Sequence, residues 1–149
     1  MILRPCTDLD KPACIAIARG NTPLFILENE LPELEAILNN PPCPYFVVEN
    51  AAREVIACGG YRLLPEKNAA RLCWGMVRRD LHRAGVGRFL LRARLDEIRK
   101  TNVETVALDT SQHSMGFFEK EGFTTIQKIQ NGYGAGLDRV EMELKIQKI

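Results

Sequence analysis

The stretch 71–109 constrains the fold more than any other part of the chain. Arg71 to Val77 is a short apolar run with strand character, and the loop after it carries Gly85 and Gly87. An amphipathic segment then runs to about Lys100. In it Val86, Phe89, Leu90 and Ala93 form one face, widened by Leu91, Leu95 and Ile98, while Arg88, Arg92 and Arg99 lie opposite. Thr105 to Asp109 reads as the next strand. A strand, a helix and a strand joined this closely pair in parallel with a right-handed crossover. So broad an apolar face suits a helix laid on a sheet.

The flanking segments supply the rest of that sheet. Ile2 to Arg4 is a short strand. Asp8 to Arg19 is predicted to be a helix capped by Asp8, with Ala13, Ile15, Ile17 and Ala18 apolar. Leu31 to Leu38 is a second helix, stopped by Pro41 and Pro42. Tyr45 to Val48 and Val55 to Cys58 are strands of a hairpin across Asn50 to Glu54, and the polar loop Pro65 to Asn68 leads to Arg71. Ser114 to Lys120 is a short helix closed by Gly122 in the left-handed conformation. Two strands follow, and the last is the cleanest: Val140, Met142, Leu144 and Ile146 alternate with Arg139, Glu141, Glu143 and Lys145. The class is α/β (α+β): one mixed sheet around a central parallel strand–helix–strand unit, flanked by helices.

Composition narrows what such a domain does. A chain of 149 residues has room for one domain, expected to span 1–149. A net charge of +1 gives no global field for nucleic acid or an anionic membrane. No run approaches the roughly 20 apolar residues that cross a bilayer, and the first ten residues lack the pattern of a signal peptide. Cys6, Cys14, Cys43, Cys58 and Cys73 are odd in number and scattered, with no spacing that suggests zinc or another metal. Reduced thiols in a soluble cytoplasmic protein are the expectation.

The chemistry concentrates in HRAGVGRFLLRAR, His82 to Arg94. A loop entering a helix leaves several backbone N–H groups unpaired and pointing forward, at the positive end of the helix dipole. Glycines let a ligand approach such a backbone closely, and Arg83 and Arg88 offer charge-assisted hydrogen bonds to phosphate. A plain turn explains the glycines equally well. The stretch is neither GxGxxG nor a P-loop ending in GK(S/T).

HRAGVGRFLL resembles the Q/R-x-x-G-x-G/A signature of the GCN5-related N-acetyltransferase (GNAT) family. LDTSQHSMGFFEKEGF, from Leu108 to Phe123, is similar to that family's later motif, which commonly ends in FYEKxGF. The resemblance extends over the element order of the whole chain. It implies the GNAT fold, with a mostly antiparallel sheet, and acetyl-CoA as cosubstrate without a metal. It further implies that the N–H groups from His82 through Arg83, Ala84, Gly85, Val86, Gly87 and Arg88 hold the diphosphate. The end of the preceding strand, at Gly75, Met76 and Val77, would pair with the pantetheine arm.

There are departures from the family pattern. His82 stands where Gln or Arg is usual. Phe118 stands at the tyrosine that often protonates the departing thiolate. Ser111 replaces a frequent asparagine and can still hydrogen-bond the arm. His113 and Tyr133 are candidate proton donors, and Asp109 and His113 are candidate bases. Asp109 could equally cap the next helix or brace a turn, and Trp74 is either core or substrate wall. Glu28, Glu30, Glu33 and Glu35 form either a solvated face or a lure for a cationic amine.

The resulting expectation is acetyl transfer to a primary amine, on a small molecule or a peptide, by direct attack. None of the cysteines lies beside a His/Asp partner that would favour an acyl-cysteine route. A non-catalytic acyl-CoA-binding module and an unrelated nucleotide-phosphate binder are the alternatives. Acceptor determinants are expected in Ala18 to Asn40 and around Asn131 to Leu137, where NGYGAG reads as a flexible loop. A homodimer follows by family analogy alone.

Overall fold

Alternation along the last strand decides which side of the sheet is dry. Val140 and Met142 of that strand are fully buried, while Arg139 and Glu141 face the other way. The computed structural model describes residues 1–146, so the last three positions of the expected 1–149 span lie outside it. Among the described residues the strands are β1 (Ile2–Pro5), β2 (Tyr45–Glu49), β3 (Val55–Leu64), β4 (Ala69–Val77), β5 (Thr105–Thr110), β6 (Thr124–Gly134) and β7 (Leu137–Lys145). They form one sheet in the order β1-β2-β3-β4-β5-β7-β6. Neighbours are antiparallel except β4 and β5, the parallel pair the crossover demands.

Among the described residues four helices cover the sheet: α1 (Lys11–Gly20), α2 (Leu31–Asn39), α3 (Val86–Arg99) and α4 (Met115–Lys120). On one face Leu91, Leu95 and Ile98 of α3 pack on Tyr61, Leu72, Val106, Leu108, Val140 and Met142. On the other, Cys14 and Ile17 of α1 and Leu34 and Leu38 of α2 pack on Tyr45, Val47, Cys58 and Met76. Each large side chain buried this way contributes about 1.5–3 kcal/mol. All five cysteines are free thiols.

The elements agree with expectation in order and differ at their ends. β3 and β4 are longer than their apolar runs, because a 3-10 turn at Pro65–Lys67, closed by Asn68 at φ 51°, joins them as a tight hairpin. The entry to α1 is a correction. Asp8 is exposed and caps nothing; a 3-10 turn over Asp8–Asp10 precedes the helix, and the buried carboxylate is that of Asp10. It accepts the Thr7 N–H at 2.7 Å and two guanidinium hydrogen bonds from Arg4, each 2.8 Å.

Those bonds, chiefly the one from Arg4, bring the Asp10 carboxyl down to about 2. A lowered carboxyl stabilises the fold fully above its unfolded value, about 3.9, and that contribution disappears as pH falls through about 2. Asp10→Asn is therefore expected to cost on the order of 2 kcal/mol at pH 7 and little at pH 2. Urea unfolding at the two pH values checks this, and an equal cost at both would contradict it.

One irregularity in β4 positions everything that follows. Cys58 pairs with Met76 and Gly60 with Cys73, so β4 spends one residue more than β3 between these pairs. The bulge falls at Trp74, whose φ of 44° is rare for a large side chain. The Tyr45 hydroxyl donates to the Trp74 carbonyl at 2.9 Å and holds it there.

Candidate active site

After Arg71, ahead of the bulge, β4 and β5 part company. They pair only at Ala69 with Thr105, Ala70 with Val106 and Arg71 with Ala107, although β4 continues to Val77 and β5 to Thr110. The divergence opens a cleft between the carboxyl ends of two parallel strands. The Arg78 N–H bonds the Ile56 carbonyl at 2.9 Å while Val77 lies opposite Ala57. That phase turns the N–H and C=O of Val77 away from β3, into the cleft, and those of Met76 towards Cys58. The Val77 carbonyl accepts from Asn21 Nδ2 at 2.9 Å and from the His82 ring at 3.0 Å. Its N–H faces the opening.

The loop from β4 to α3 stands at the mouth of this cleft. Gly85, at φ 87°, is the residue before the first turn of α3, and no side chain caps that turn. The His82 and Ala84 N–H groups are tied to the Arg79 and Leu81 carbonyls, each at 3.3 Å. Those of Arg83, Gly85, Val86, Gly87 and Arg88 have no partner among the described hydrogen bonds. A Cβ at Gly85 would meet nothing within 4 Å, and one at Gly87 would have the Phe117 ring at 3.7 Å. Five free amide donors on an unobstructed, dipole-positive helix head suit the oxygens of a diphosphate.

The profile of the acetyltransferase (GNAT) family matches residues 12–123. The chain belongs to the GNAT acetyltransferase family.

Solved structures agree in fold at low identity. The ribosomal-protein-alanine N-acetyltransferase of Brucella melitensis is 22% identical with a TM-score of 0.75, over 98% of this chain and 100% of its own. An aminoglycoside 6'-N-acetyltransferase complexed with coenzyme A is 15% identical with a TM-score of 0.79, over 100% and 99%. The protein yncA of Salmonella typhimurium, solved with acetyl-CoA, is 20% identical with a TM-score of 0.74, over 100% and 95%. No curated protein matches the chain in sequence.

This acetyltransferase places its other candidate residues in two groups. Arg71 and Asp109 lie on the face of the sheet turned away from α3 and form an ion pair there. Asp109 Oδ1 is buried and has no hydrogen-bond partner. Arg139 and Glu141, 3.5 Å apart, extend the same face. Tyr133 belongs to this group: burial first, then the nearby charges of Asp109 and Glu30, push its hydroxyl well above the usual tyrosine value. It therefore stays protonated. Glu30 is also raised, by burial, and accepts the Leu27 N–H at 2.7 Å, so it is a structural member of the acidic cluster.

The second group surrounds Phe25, which sequence reasoning did not single out. The Phe25 ring meets His82 edge-on at 5.0 Å between centroids and His113 at 5.8 Å, with the Arg79 guanidinium 4.8 Å above it. Residues from the α1–α2, β4–α3 and β5–α4 loops thus converge at one end of the cleft. His82 directs its Nε2 at the Val77 carbonyl and so braces the end of β4. Only the apolar residues before Leu27 hinted at Phe25, and nothing local assigned it to a site.

Several expected contacts resolve otherwise. Arg88 is committed to Glu121 at 2.9 Å, with Arg92 at 3.4 Å from the same carboxylate, so it fastens α3 to the end of α4. Ser111 is buried; its hydroxyl accepts the His113 N–H at 3.2 Å and its carbonyl starts α4. Phe118 packs edge-on against Phe117 and Phe123 at 5.0 and 5.6 Å, and Phe117 rather than Phe118 comes close to Gly87. NGYGAG is not a loose loop: β6 runs to Gly134, and the hairpin is pinned by Asn131 to Asp138 and Gly136, and by Gln112 to Gly136 and Asp138. Trp74 packs against the α1–α2 core cluster, settling its two readings towards core.

Among the described residues no group of His, Cys, Asp and Glu is arranged to hold a metal ion, and no helix is long and apolar enough to cross a membrane.

Proposed function

We propose that the protein transfers the acetyl group of acetyl-CoA to a primary amine by direct attack. The reading is carried by the free amides of Arg83, Gly85, Val86, Gly87 and Arg88 beside the cleft where β4 and β5 separate. The helix head takes the diphosphate, and the Val77 N–H takes the pantetheine arm as though it were an added strand. His82 and Ala84 contribute geometry, since their own N–H groups are used within the loop. Met76 fixes β4 against β3, and Ser111 and Phe118 shape the far wall.

The acceptor enters from the face that carries Asp109 and Tyr133. An amine of pKa about 10.4 must lose a proton at a cost of roughly 4–5 kcal/mol at pH 7, against about 1 kcal/mol for an α-amine near 8. In this reading Asp109, whose buried Oδ1 has no partner, takes that proton, and the Tyr133 hydroxyl orients the nitrogen. His113 packs edge-on against Phe25 and serves the mouth of the cleft. The neighbours named for an alanine of a ribosomal protein and for an aminoglycoside both modify amines, which agrees with this acceptor class.

Phe118 favours a second reading, a module that binds acyl-CoA without turning it over, because phenylalanine has no proton to give the departing sulfur. Release of free CoA across a panel of amines and peptide N-termini, alongside calorimetric titration with CoA and with ATP, separates these. Turnover with at least one amine is expected. CoA binding without any turnover would establish the module, and binding of ATP in preference to CoA would overturn both.

A further inference from the structure

Arg94 is buried in the wrong kind of place for an arginine. It lies on the sheet-facing side of α3 and is only 3% exposed. Its guanidinium fits into a hole made by glycines at the β4 bulge. A Cβ at Gly75 would come within 2.7 Å of Nη2, and one at Gly59 within 3.1 Å of Cζ and Nη1. Nη1 donates to the Gly60 carbonyl at 3.2 Å, while Nε has no partner.

Among the described residues no carboxylate pairs with the charge. From the sheet, the groups that bear on it are Tyr45, Cys73 and Cys58, a phenol and two thiols rather than carboxylates. On its own helix, Asp96 and Glu97 are turned outward to Arg99 and Lys100, each pair at 2.9 Å. Burial brings the Arg94 guanidinium down to about 10, so it remains a cation near neutrality. A lone buried charge is costly, and an apolar residue would fill the hole more cheaply. The bulge it supports is the part of β4 that turns towards the cleft.

We propose that Arg94 stabilises the negative charge that acyl transfer places on the sulfur of coenzyme A, a task left open by Phe118. In that step the amine nitrogen forms the new C–N bond and the C–S bond breaks. The electron pair stays on sulfur, and the amine proton passes to Asp109 or to water. Arg94 does not touch the sulfur. It is a positioning residue, acting across the bulge as a fixed charge in a low-dielectric layer where water cannot screen it. The inference rests on acetyl-CoA lying in the β4–β5 cleft. The other titratable and charged groups around that cleft, His82, His113, Tyr133, Glu30, Arg79, Arg83 and the Arg71–Asp109 pair, are common to wild type and variants, so a difference between them isolates Arg94.

The test is a titration of bound coenzyme A, following thiolate absorbance from about pH 6 to pH 10 in wild type, Arg94→Met and Arg94→Lys. In wild type the bound thiol is expected to titrate about one unit below its ordinary value near 8.5. Arg94→Met should return it to that value and lower kcat about tenfold, with KM for acetyl-CoA changed less than about threefold. Arg94→Lys should keep the lowered titration only below the pH at which its own buried ammonium loses a proton. Arg94→Met should also melt no lower than wild type, since it removes an uncompensated charge. Identical thiol titration in wild type and Arg94→Met overturns the proposal. If Arg94→Met does not fold, a wild-type bound thiol that titrates at its ordinary value near 8.5 overturns it instead. Failure of wild type to bind coenzyme A would be a different result, sinking the acetyl-CoA reading itself.

Discussion

Gly87→Asp is expected to leave the protein folded, to raise its melting temperature slightly, and to weaken coenzyme A binding about a hundredfold or more. The position separates folding from function because the two want opposite things there. Gly87 lies in the first turn of α3, where a side chain relieves the backbone entropy of glycine and a carboxylate gains about 0.3–1 kcal/mol from the helix dipole. The site has room, since the nearest atom to a new Cβ is the Phe117 ring at 3.7 Å. The same carboxylate would satisfy the free amides itself and stand within a few ångströms of an arriving diphosphate. Two like charges about 4 Å apart near a protein surface repel by roughly 4 kcal/mol before salt screening. The expected hundredfold corresponds to about 2.7 kcal/mol, a screened share of that repulsion. Gly87→Ala supplies the space-filling control and should change affinity less than about threefold. Calorimetric titration with coenzyme A and a thermal melt give both readings, and unchanged affinity in the aspartate variant would place the diphosphate elsewhere.

Gly87 was legible because its signal is local: a glycine-punctuated loop opening a helix leaves donors free whatever surrounds it. β7 was legible for a similar reason, as a strand with one dry face must alternate. The parallel β4–β5 pair followed from chain connectivity. What escaped depended on partners distant in sequence. The strand is expected to end at Cys58, leaving Gly59 and Gly60 outside it, when they are the space into which Arg94 and Tyr45 fit within a longer one. The carboxylate that matters at the start of α1 is Asp10 rather than Asp8, because it takes the Thr7 N–H and is held by Arg4 on β1 from across the fold. Arg94 itself carried a usable signal. It stands three residues after Leu91 and four before Ile98, on the apolar stripe, where periodicity places a core residue and polarity argues against one. A conflict between period and polarity marks a residue kept for something other than packing.

Asp109→Asn tests the acceptor side, and its effect should depend on which amine is offered. Asparagine keeps the shape and can still accept a hydrogen bond, but it cannot take a proton. Loss of a positioned base typically costs 10²–10⁴ in rate. For a lysine-like amine at pH 7 the variant is therefore expected to lose at least a hundredfold in kcat. For an α-amine, already partly neutral at that pH, the loss should be about tenfold or less. Raising the pH from about 7 to about 9 supplies neutral amine directly and should recover much of the deficit with the first substrate and little with the second. The ion pair with Arg71 is about one-third exposed on the arginine side, so its loss should change stability by no more than about 1 kcal/mol. Coenzyme A affinity should not move, because the helix head lies on the other side of the cleft mouth. Parallel pH–rate profiles for wild type and variant, with equal losses on both amines, would remove Asp109 from proton transfer and leave it as a brace for Arg71. Unequal losses in the predicted order would identify both the base and, through the amine that suffers most, the kind of acceptor for which this face is built.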